Sequence, residues 1–386
     1  MYFNDFIIHE LHSLININNL LNTTNYLKEN KKKYFYWELN EKYSFKYYAD
    51  VIFYNYINSY IPNINKQLSI KIRNEVLFGI NHLGNVHSLD LGHCNNIQDV
   101  CSLGNVYKLN LSYCHADING CMTSDIQGIS CLGNVHILNL GNTYIRDAGV
   151  KHLGNVHTLS LRQCHYLSDE GIKHLGNAHT LDLNSNYTIT NEGIKYLGNV
   201  HTLNLSHCSK ITDVSSLGKV HTLILSDRNT CNITQGVRNL VDCHTLFLGN
   251  SYITDDDLRF LGNVHTLNIS HCHNITDEGI KYLGNVHTLN ICGCDNITEK
   301  GIKYLGNCHT LQLGYCQKMG NGIMSLLRCT NTVIITGCDN ITDESIKYLG
   351  NVHTLHLRGC NNITKDCIKY LGNVHTLKIS GCKNVM

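Results

Sequence analysis

The stretch LGNVHTLNISHC, from Leu261 to Cys272, decides the fold, because close copies of it recur along most of the chain. Fourteen copies align on their first leucine, and most begin 20 to 23 residues after the previous one. These leucines are Leu83, Leu103, Leu132, Leu153, Leu175, Leu197, Leu217, Leu240, Leu261, Leu283, Leu305, Leu327, Leu349 and Leu371. A short period repeated this often indicates a solenoid, in which each unit buries its apolar side chains against its neighbours.

Each copy is predicted to contain a strand and a short helix. Leu267 and Ile269 alternate with polar residues, which is the period of a strand with one buried face. Thr276 then precedes two acidic residues and is expected to cap a helix, because its hydroxyl can accept a free backbone N–H. Gly284 and Asn285 tolerate left-handed backbone angles, so we predict that the helix ends there.

This unit, written VxxLxLxxCxxI, resembles the leucine-rich repeat, with Cys in the usual Asn position as in the cysteine-containing subfamily found in F-box proteins. The resemblance covers residues 83–386. It implies an α/β solenoid of horseshoe shape, with a parallel β-sheet on the concave face and short helices outside. The copies at Leu103, Leu217, Leu240 and Leu327 depart most from the consensus, and irregular local structure is expected there.

The pattern also predicts two features at and near the start of the solenoid. LSIKI, from Leu68 to Ile72, alternates like a repeat strand, so we predict a capping repeat over about residues 61–82 and a solenoid over 61–386. The interval of 29 residues between Leu103 and Leu132 is longer than the others, and a loop containing 117–125 should take up the difference.

Ten of the nineteen cysteines share one position in the repeat. They are Cys94, Cys114, Cys164, Cys208, Cys272, Cys294, Cys316, Cys338, Cys360 and Cys382, while Thr143, Asn186, Arg228 and Ser251 hold the same position in other copies. Neighbouring parallel strands lie about 4.8 Å apart, so this Cys column would be a row of single thiols. Zinc needs a tetrahedral ligand set, which such a row does not supply, so we interpret these residues as buried, reduced and structural, with no metal.

A second column, the His column, holds histidine in twelve of the fourteen copies. It comprises His87, His136, His157, His179, His201, His221, His244, His265, His287, His309, His353 and His375. No carboxylate accompanies it in register, so we expect neutral imidazoles that bond to turn backbone groups rather than a metal or catalytic site. Adjacent charged rings would repel by about 1 kcal/mol even in water, which predicts lowered pKa values and a loss of stability as the pH falls.

Alternation also places a column of threonines, including Thr266, on the exposed face of the sheet. A uniform row of β-branched residues is typical of scaffold, so recognition should come from residues that break the pattern. Ile224 and Phe247, in adjacent copies, and the arginines Arg162 and Arg358 are the candidate partner-binding residues. The alternative is unselected variation on an exposed strand.

Composition excludes several classes of protein. The net charge is +1, from 31 basic and 30 acidic residues, with no extended basic block of the kind that nucleic-acid or membrane-surface binding needs. No apolar stretch reaches membrane-spanning length, and the first ten residues, MYFNDFIIHE, lack the pattern of a signal peptide. We therefore expect an intracellular protein, cytoplasmic or nuclear, that binds neither nucleic acid nor membranes.

Residues 1–60 have no repeat and form a separate predicted helical domain. Glu10, Leu11, Leu14, Leu20 and Leu21, followed by Tyr26, Leu27 and Trp37, resemble the apolar pattern of an F-box, although the usual proline is absent. By that resemblance the first five would bind a Skp-type adaptor. The alternative is a small helical cap for the solenoid.

An F-box directly before cysteine-type repeats is the arrangement of the F-box/LRR proteins. The resemblance implies a substrate-recognition subunit of a cullin-type ubiquitin ligase, with the solenoid binding the target. A stand-alone leucine-rich scaffold without a ubiquitin link is the alternative. No catalytic motif is present, so we expect no enzyme activity and no cofactor. Frequent Asn, Ile, Lys and Tyr is typical of AT-rich coding sequences, as in large DNA viruses, which would act inside a host cell, or in protists.

Overall fold

A computed structural model describes residues 37–38, 48–49, 68–73, 75, 77, 79–94, 97, 99–114, 127–226, 233, 235–315, 322–328 and 330–385. They belong to two compact units, Met1–Leu167 and Ser168–Met386. The predicted loop at 117–125 lies outside the described residues, and so does nearly all of the predicted N-terminal domain.

The first unit is a parallel sheet whose strands follow chain order. Its strands are β1 (Trp37–Glu38), β2 (Leu68–Lys71), β3 (Ser88–Asp90), β4 (Lys108–Asn110), β5 (Ile137–Asn139) and β6 (Thr158–Ser160). Helix α1 (Asp147–Val150) and 3-10 helices at Ile80–Leu83, Cys101–Leu103 and Ile129–Asn134 connect them. The stretch LSIKI, expected to form a repeat strand, contains β2, which pairs with β3 on one side and with β1 on the other.

The second unit repeats the same plan more regularly. Its strands are β7 (Thr180–Asp182), β8 (Thr202–Asn204), β9 (Thr222–Ile224), β10 (Thr245–Phe247), β11 (Thr266–Asn268), β12 (Thr288–Asn290), β13 (Thr310–Gly314), β14 (Thr332–Thr336), β15 (Thr354–Arg358) and β16 (Thr376–Ser380). Short α-helices α2 (Asp169–Ile172), α3 (Asn191–Ile194), α4 (Asp255–Leu258), α5 (Asp277–Ile280), α6 (Glu299–Ile302), α7 (Ile323–Leu326) and α8 (Asp343–Ile346) connect many of them. Short 3-10 helices lie at Ser215–Leu217, Val237–Asn239, Lys281–Leu283, Lys303–Leu305, Lys347–Leu349 and Lys365–Tyr370.

The core consists of equivalent apolar residues stacked from repeat to repeat. Leu267 of β11 pairs in register with Leu246 of β10 and Leu289 of β12, and all three side chains are buried. Ile269 and Ile280 of the same repeat are also fully buried. Since one repeat has no second layer of its own, its apolar residues can be covered only by its neighbours. The parallel sheet and the short helices of the sequence prediction are confirmed.

The helix start was predicted correctly, and the helical segment ends at Gly284 as predicted, but the left-handed backbone angle expected there was wrong. Thr276 caps α5, because its hydroxyl accepts a hydrogen bond from the N–H of Glu278. Gly284, however, has φ −60°, which is an ordinary right-handed helical angle. A Cβ at Gly284 would lie 2.8 Å from the carbonyl oxygen of Tyr304 in the next repeat, so this glycine is needed for close packing.

The left-handed turn lies elsewhere in the repeat, immediately before the Cys position. His271, for example, has φ +58°, and Gly293 has φ +69° at the same place one repeat later. A 3-10 helix stands in place of the α-helix at three of the four divergent copies, those of Leu103, Leu217 and Leu240, but also at the copies of Leu83, Leu132 and Leu371. The copy at Leu327 keeps an α-helix, α7.

Candidate interaction surface

The exposed face of the sheet carries three outward positions in each repeat. In the repeat of β11 they are Thr266, Asn268 and Ser270, all partly exposed, while Leu267 and Ile269 between them are buried. Because the strands pair in register, equivalent outward residues form rows across the sheet of each unit. We call these the Thr, middle and outer rows.

Asparagine and aspartate in the middle row have a structural role. The side-chain oxygen of Asn268 accepts a hydrogen bond from the backbone N–H of Ser270 at 2.9 Å. The same turn is made by Asp90, Asn110, Asn139, Asp182, Asn204 and Asn290. An Asx side chain is well suited to bond to backbone two residues later. Residues of other types in this row cannot be explained in this way.

Two of these exceptions form an apolar patch. Ile224 in β9 and Phe247 in β10 pair directly in register, and both side chains are partly exposed. Asn204 and Asn268 flank them in the neighbouring strands. The structure therefore brings together two of the four residues proposed from the sequence as partner-binding.

The other two proposed residues stand in the outer row. Arg162 follows β6 in the first unit, and Arg358 ends β15 in the second; both side chains are exposed. Most other members of this row are small, such as Gly141 and Ser380. Because the two arginines belong to different units, we treat them as separate features rather than one site.

The last four strands differ from those before them. Their middle row contains Gln312, Ile334, His356 and Lys378. None of the four can form the Asx turn, and β13 to β16 each extend to five residues, whereas β3 to β12 have three. The exposed face is therefore longer along the strands at this end of the second unit.

The first unit has a shallow groove of about 420 Å³ on its exposed face. Ser69, Lys71, Lys108 and Asn139 are among the residues that line it. Arg73 at its border forms an ion pair with Asp90, with 2.5 Å between guanidinium nitrogen and carboxylate oxygen. Asp90 also accepts a hydrogen bond from the side chain of Asn110. The charge of Arg73 is thus already compensated within the sheet.

The His column is a stack of parallel rings at the edge of this face. In the second unit the centroids of successive rings from His179 to His309 lie 4.4 to 4.6 Å apart. Tyr107 continues the stack in the first unit, between His87 and His136, and Asn331 interrupts it in the second. We expected turn backbone groups to be the partners, but each Nδ1 for which a contact is resolved lies 3.1 to 3.3 Å from the hydroxyl of the following threonine.

The stacked arrangement of the His column argues against a metal site. Partial burial, followed by repulsion from the adjacent rings, lowers the pKa of His201 and of His287 below the ordinary value. Nitrogen lone pairs of parallel rings point in parallel, whereas zinc needs ligands that converge on one point at about 2.0 Å. Within the described residues, no group of three His, Cys, Asp or Glu side chains is arranged to hold a metal ion.

The described members of the Cys column are buried free thiols, whereas Cys316 lies outside the described residues. The thiol of Cys294 donates to the carbonyl oxygen of Ile269 in the preceding repeat at 3.1 Å, and that of Cys114 donates to Leu91 at 3.0 Å. Burial raises the pKa of Cys94 to about 11 and that of Cys114 to about 12. A protonated, buried thiol is neither a good nucleophile nor a metal ligand.

Sequence reasoning missed two kinds of link between repeats. Cys101, two residues before Leu103, forms a disulfide with Cys131, one residue before Leu132, across the long interval. Two cysteines outside the Cys column, close to the two ends of that interval, were the available signal. In addition, Asp277 accepts hydrogen bonds from both the backbone N–H and the hydroxyl of Thr298 in the next repeat, at 2.7 and 2.6 Å.

The five proposed adaptor-binding residues, Glu10, Leu11, Leu14, Leu20 and Leu21, lie outside the described residues. Trp37, which we aligned with the aromatic end of the F-box pattern, belongs instead to the two-residue strand β1. None of the helices in the described ranges is both long and apolar enough to cross a membrane.

Comparisons with known proteins support the fold. A family model described as a leucine-rich repeat matches residues 263–284. No curated protein matches the sequence. Among solved structures, an internalin (InlF) of Listeria monocytogenes is similar with a TM-score of 0.51 and 20% identity, covering 72% of this chain and 81% of the internalin chain.

Two further structures are similar to the same extent. The functional domain of InlJ from Listeria monocytogenes, which includes a cysteine ladder, has a TM-score of 0.52 and 15% identity, covering 80% of this chain and 66% of that one. A leucine-rich repeat protein of Leptospira interrogans has a TM-score of 0.52 and 18% identity, covering 85% and 94%. The fold is thus a leucine-rich repeat solenoid, and no catalytic family is indicated.

Proposed function

We propose that this chain binds a target protein through the exposed face of the sheet in its second unit, with Ile224 and Phe247 as the apolar contact. The leucine-rich repeat fold supports a role in protein–protein interaction. The observation that carries the proposal is the pairing of Ile224 with Phe247 in a middle row whose other members nearby are asparagines that make structural turns. Partly exposed apolar side chains in the centre of a polar face are typical of binding hot spots.

The test compares this patch with a structural position of the same row. Ile224→Glu with Phe247→Glu should abolish binding to targets recovered by proximity labelling with the full chain, because it places charges where apolar surface must be buried. Asp182→Asn, in β7 outside the patch, is the matched control, since asparagine makes the same turn at Asn204. Full binding by the double variant would contradict the proposal.

We further propose that residues 1–60 dock the chain on a Skp-type adaptor, which would make it a substrate-recognition subunit of a cullin-type ubiquitin ligase in the cytoplasm or nucleus. Support comes from the F-box-like pattern that includes Glu10, Leu20 and Leu21, placed before cysteine-type repeats. A scaffold without a ubiquitin link is the second candidate.

Adaptor binding separates the two candidates. In a pull-down with purified Skp-type adaptor, the full chain should bind, Leu20→Glu with Leu21→Glu should not, and Ile224→Glu with Phe247→Glu should bind as the wild type does. Absence of adaptor binding by the wild-type chain, or unchanged binding by the Leu20/Leu21 variant, would leave the scaffold function alone.

A further inference from the structure

The exposed face of the second unit has no carboxylate at any outward strand position from β8 to β16. The Thr row is threonine throughout this range. The middle row is Asn204, Ile224, Phe247, Asn268, Asn290, Gln312, Ile334, His356 and Lys378, and the outer row is Ser206, Ser226, Gly249, Ser270, Cys292, Gly314, Thr336, Arg358 and Ser380. Nine consecutive strands therefore present neutral or basic side chains only.

Basic charge is concentrated at one end of this surface. Arg358 in β15 and Lys378 in β16 are both exposed, and His356 pairs in register with Lys378. Within the described residues, neither Arg358 nor Lys378 forms an ion pair with a carboxylate, and residues 316–321 contain no Asp or Glu.

Several other cations in the described chain have a carboxylate partner. Arg73 is paired with Asp90 on the face of the first unit. On the outer helices, Lys195, Lys281 and Lys347 are each paired with a glutamate three residues earlier. The uncompensated charges at Arg358 and Lys378 thus offer a site for an anionic group that the protein itself does not supply.

The apolar patch and the basic pair are separated by a distance that a short peptide can span. Ile224 and Phe247 lie in β9 and β10, and Arg358 in β15 is five strands beyond β10. At about 4.8 Å per strand this is about 24 Å. An extended chain covers that distance with about seven residues, since each adds about 3.3 Å.

We propose that the exposed face from β9 to β16 binds an extended acidic segment of a protein. One apolar side chain of the segment contacts Ile224 and Phe247, and carboxylates about seven residues away contact Arg358 and Lys378. Side chains of the Thr row and of Asn268, Asn290 and Gln312 between the two ends offer neutral hydrogen-bonding groups. This inference rests on the proposed target-binding function and specifies the chemistry of the target.

A nucleic acid is the less favoured ligand of this basic pair. Proteins that bind nucleic acids neutralise many phosphates, commonly about six to ten, and read single strands with several stacked aromatic rings. The outward strand positions from β8 to β16 carry two permanent cations, Arg358 and Lys378, and one aromatic ring besides histidine, Phe247. Two carboxylates of a peptide match the two cations better.

The experiment pans a display library of random 16-residue peptides against the full chain and against the charge-reversed variant Arg358→Glu with Lys378→Glu. Wild type should enrich peptides with an apolar residue and Asp or Glu about seven positions away, and their affinity for the variant should fall about tenfold. Both residues are exposed, so the variant should retain the circular dichroism spectrum and melting temperature of the wild type.

The outcomes separate the two proposals. Peptides that need Ile224 and Phe247 but show no acidic preference would overturn the acidic-segment inference and leave the proposed target-binding function intact. Recovery of no peptide that depends on this face would overturn both. A 16-nucleotide single-stranded RNA that binds wild type, but not the charge-reversed variant, would show that the basic pair serves a nucleic acid and would overturn the inference.

Discussion

The two units use the same repeat but hold neighbouring repeats together in different ways. In the second unit one contact is copied: an Asp carboxylate bonds to Thr of the next repeat at Asp169, Asp255, Asp277 and Asp343. In the first unit the links are individual, namely the disulfide Cys101–Cys131, the ion pair Arg73–Asp90 and the ring of Tyr107 in the His column.

The difference follows from the spacing of the copies. A constant period of about 22 residues places equivalent groups opposite each other in every repeat, so one favourable contact can recur. Between Leu103 and Leu132 the spacing is 29 residues, and the disulfide joins the two copies on either side of that interval. A specific covalent link stands where the regular spacing is broken.

Reduction of the disulfide should lower the stability of the protein more than any other change predicted below. The loss should fall on the first unit. Cys101 and Cys131 are 30 residues apart, and closing such a loop stabilises a fold by about 3–4 kcal/mol in the chain-entropy model. Thermal melts with and without a phosphine reductant should differ by several degrees. The Cys101→Ser/Cys131→Ser variant should be insensitive to reductant, and identical wild-type melts under both conditions would contradict the prediction.

A Gly→Ala substitution in one helix of the second unit should destabilise the protein, although such a change normally stabilises a helix. Gly301 lies in helix α6, where Ala normally stabilises by about 1 kcal/mol. A Cβ there would lie 2.5 Å from the carboxylate of Asp277, which bonds to Thr298. We therefore expect Gly301→Ala to destabilise by about 1–3 kcal/mol, measured as a lower urea midpoint.

Another repeat provides a natural control for the hydrogen bonds between Asp277 and Thr298. Asn191 replaces the aspartate in one repeat and still bonds to the backbone N–H and hydroxyl of Thr212. Asp277→Asn should therefore cost little, whereas Asp277→Ala should cost about 1–2 kcal/mol because the N–H of Thr298 loses its acceptor. If Gly301→Ala were as costly in the Asp277→Ala background as in wild type, the carboxylate would not be the cause.

A smaller contrast is expected between the Cys and His columns within one repeat. Cys294→Ala removes a fully buried thiol and its bond to the carbonyl of Ile269, so a cost of about 1–2 kcal/mol is expected. His287→Asn should change stability by less than about 0.5 kcal/mol, because the side chain is exposed. In addition, Asn331 already stands at this position in another repeat, where it accepts a hydrogen bond from the hydroxyl of the following Thr332. Equal urea midpoints for the two variants would contradict this contrast.

Replacing residues of the His column should have the smallest effect on stability at neutral pH. The effect should grow as the pH falls. The pKa of His201 and of His287 is lowered by partial burial and by neighbouring rings. At pH 7.5 the rings are neutral in both states, and below about pH 6.5 the unfolded chain binds protons more readily, so stability is lost. Thermal melts at pH 7.5 and 5.5 should show this loss, and a His201→Asn/His287→Asn variant should show less of it. Equal losses in both proteins would contradict this account.

Much of the repeat could be predicted because its signals are local. The alternation around Leu267 gave the strand and its buried face, and Thr276 gave the helix start. The left-handed angle expected at Gly284 was wrong, because this glycine instead allows close packing against the carbonyl oxygen of Tyr304 in the next repeat. Asn268 was assigned to a variable surface row, yet its side chain makes a turn that only the folded backbone reveals.

The candidate site was predicted only in part, for the same reason. The broken pattern at Ile224, Phe247 and Arg358 was visible in the sequence, and the structure adds that the first two are in register. The isolation of Arg358 and Lys378 from any described carboxylate was not visible, because ion pairs depend on which side chains the fold brings close.

The sequence by itself determined the architecture: the period fixes the number and order of the repeats, and alternation fixes which residues of each strand are buried. The tertiary structure alone decided which groups interact across repeats, such as Cys101 with Cys131, Asp277 with Thr298, and the ring of His265 with that of His287. These contacts join residues about 20 to 30 positions apart. Local propensities extend over a few residues only, so partners at that distance are set by the stacking of whole repeats.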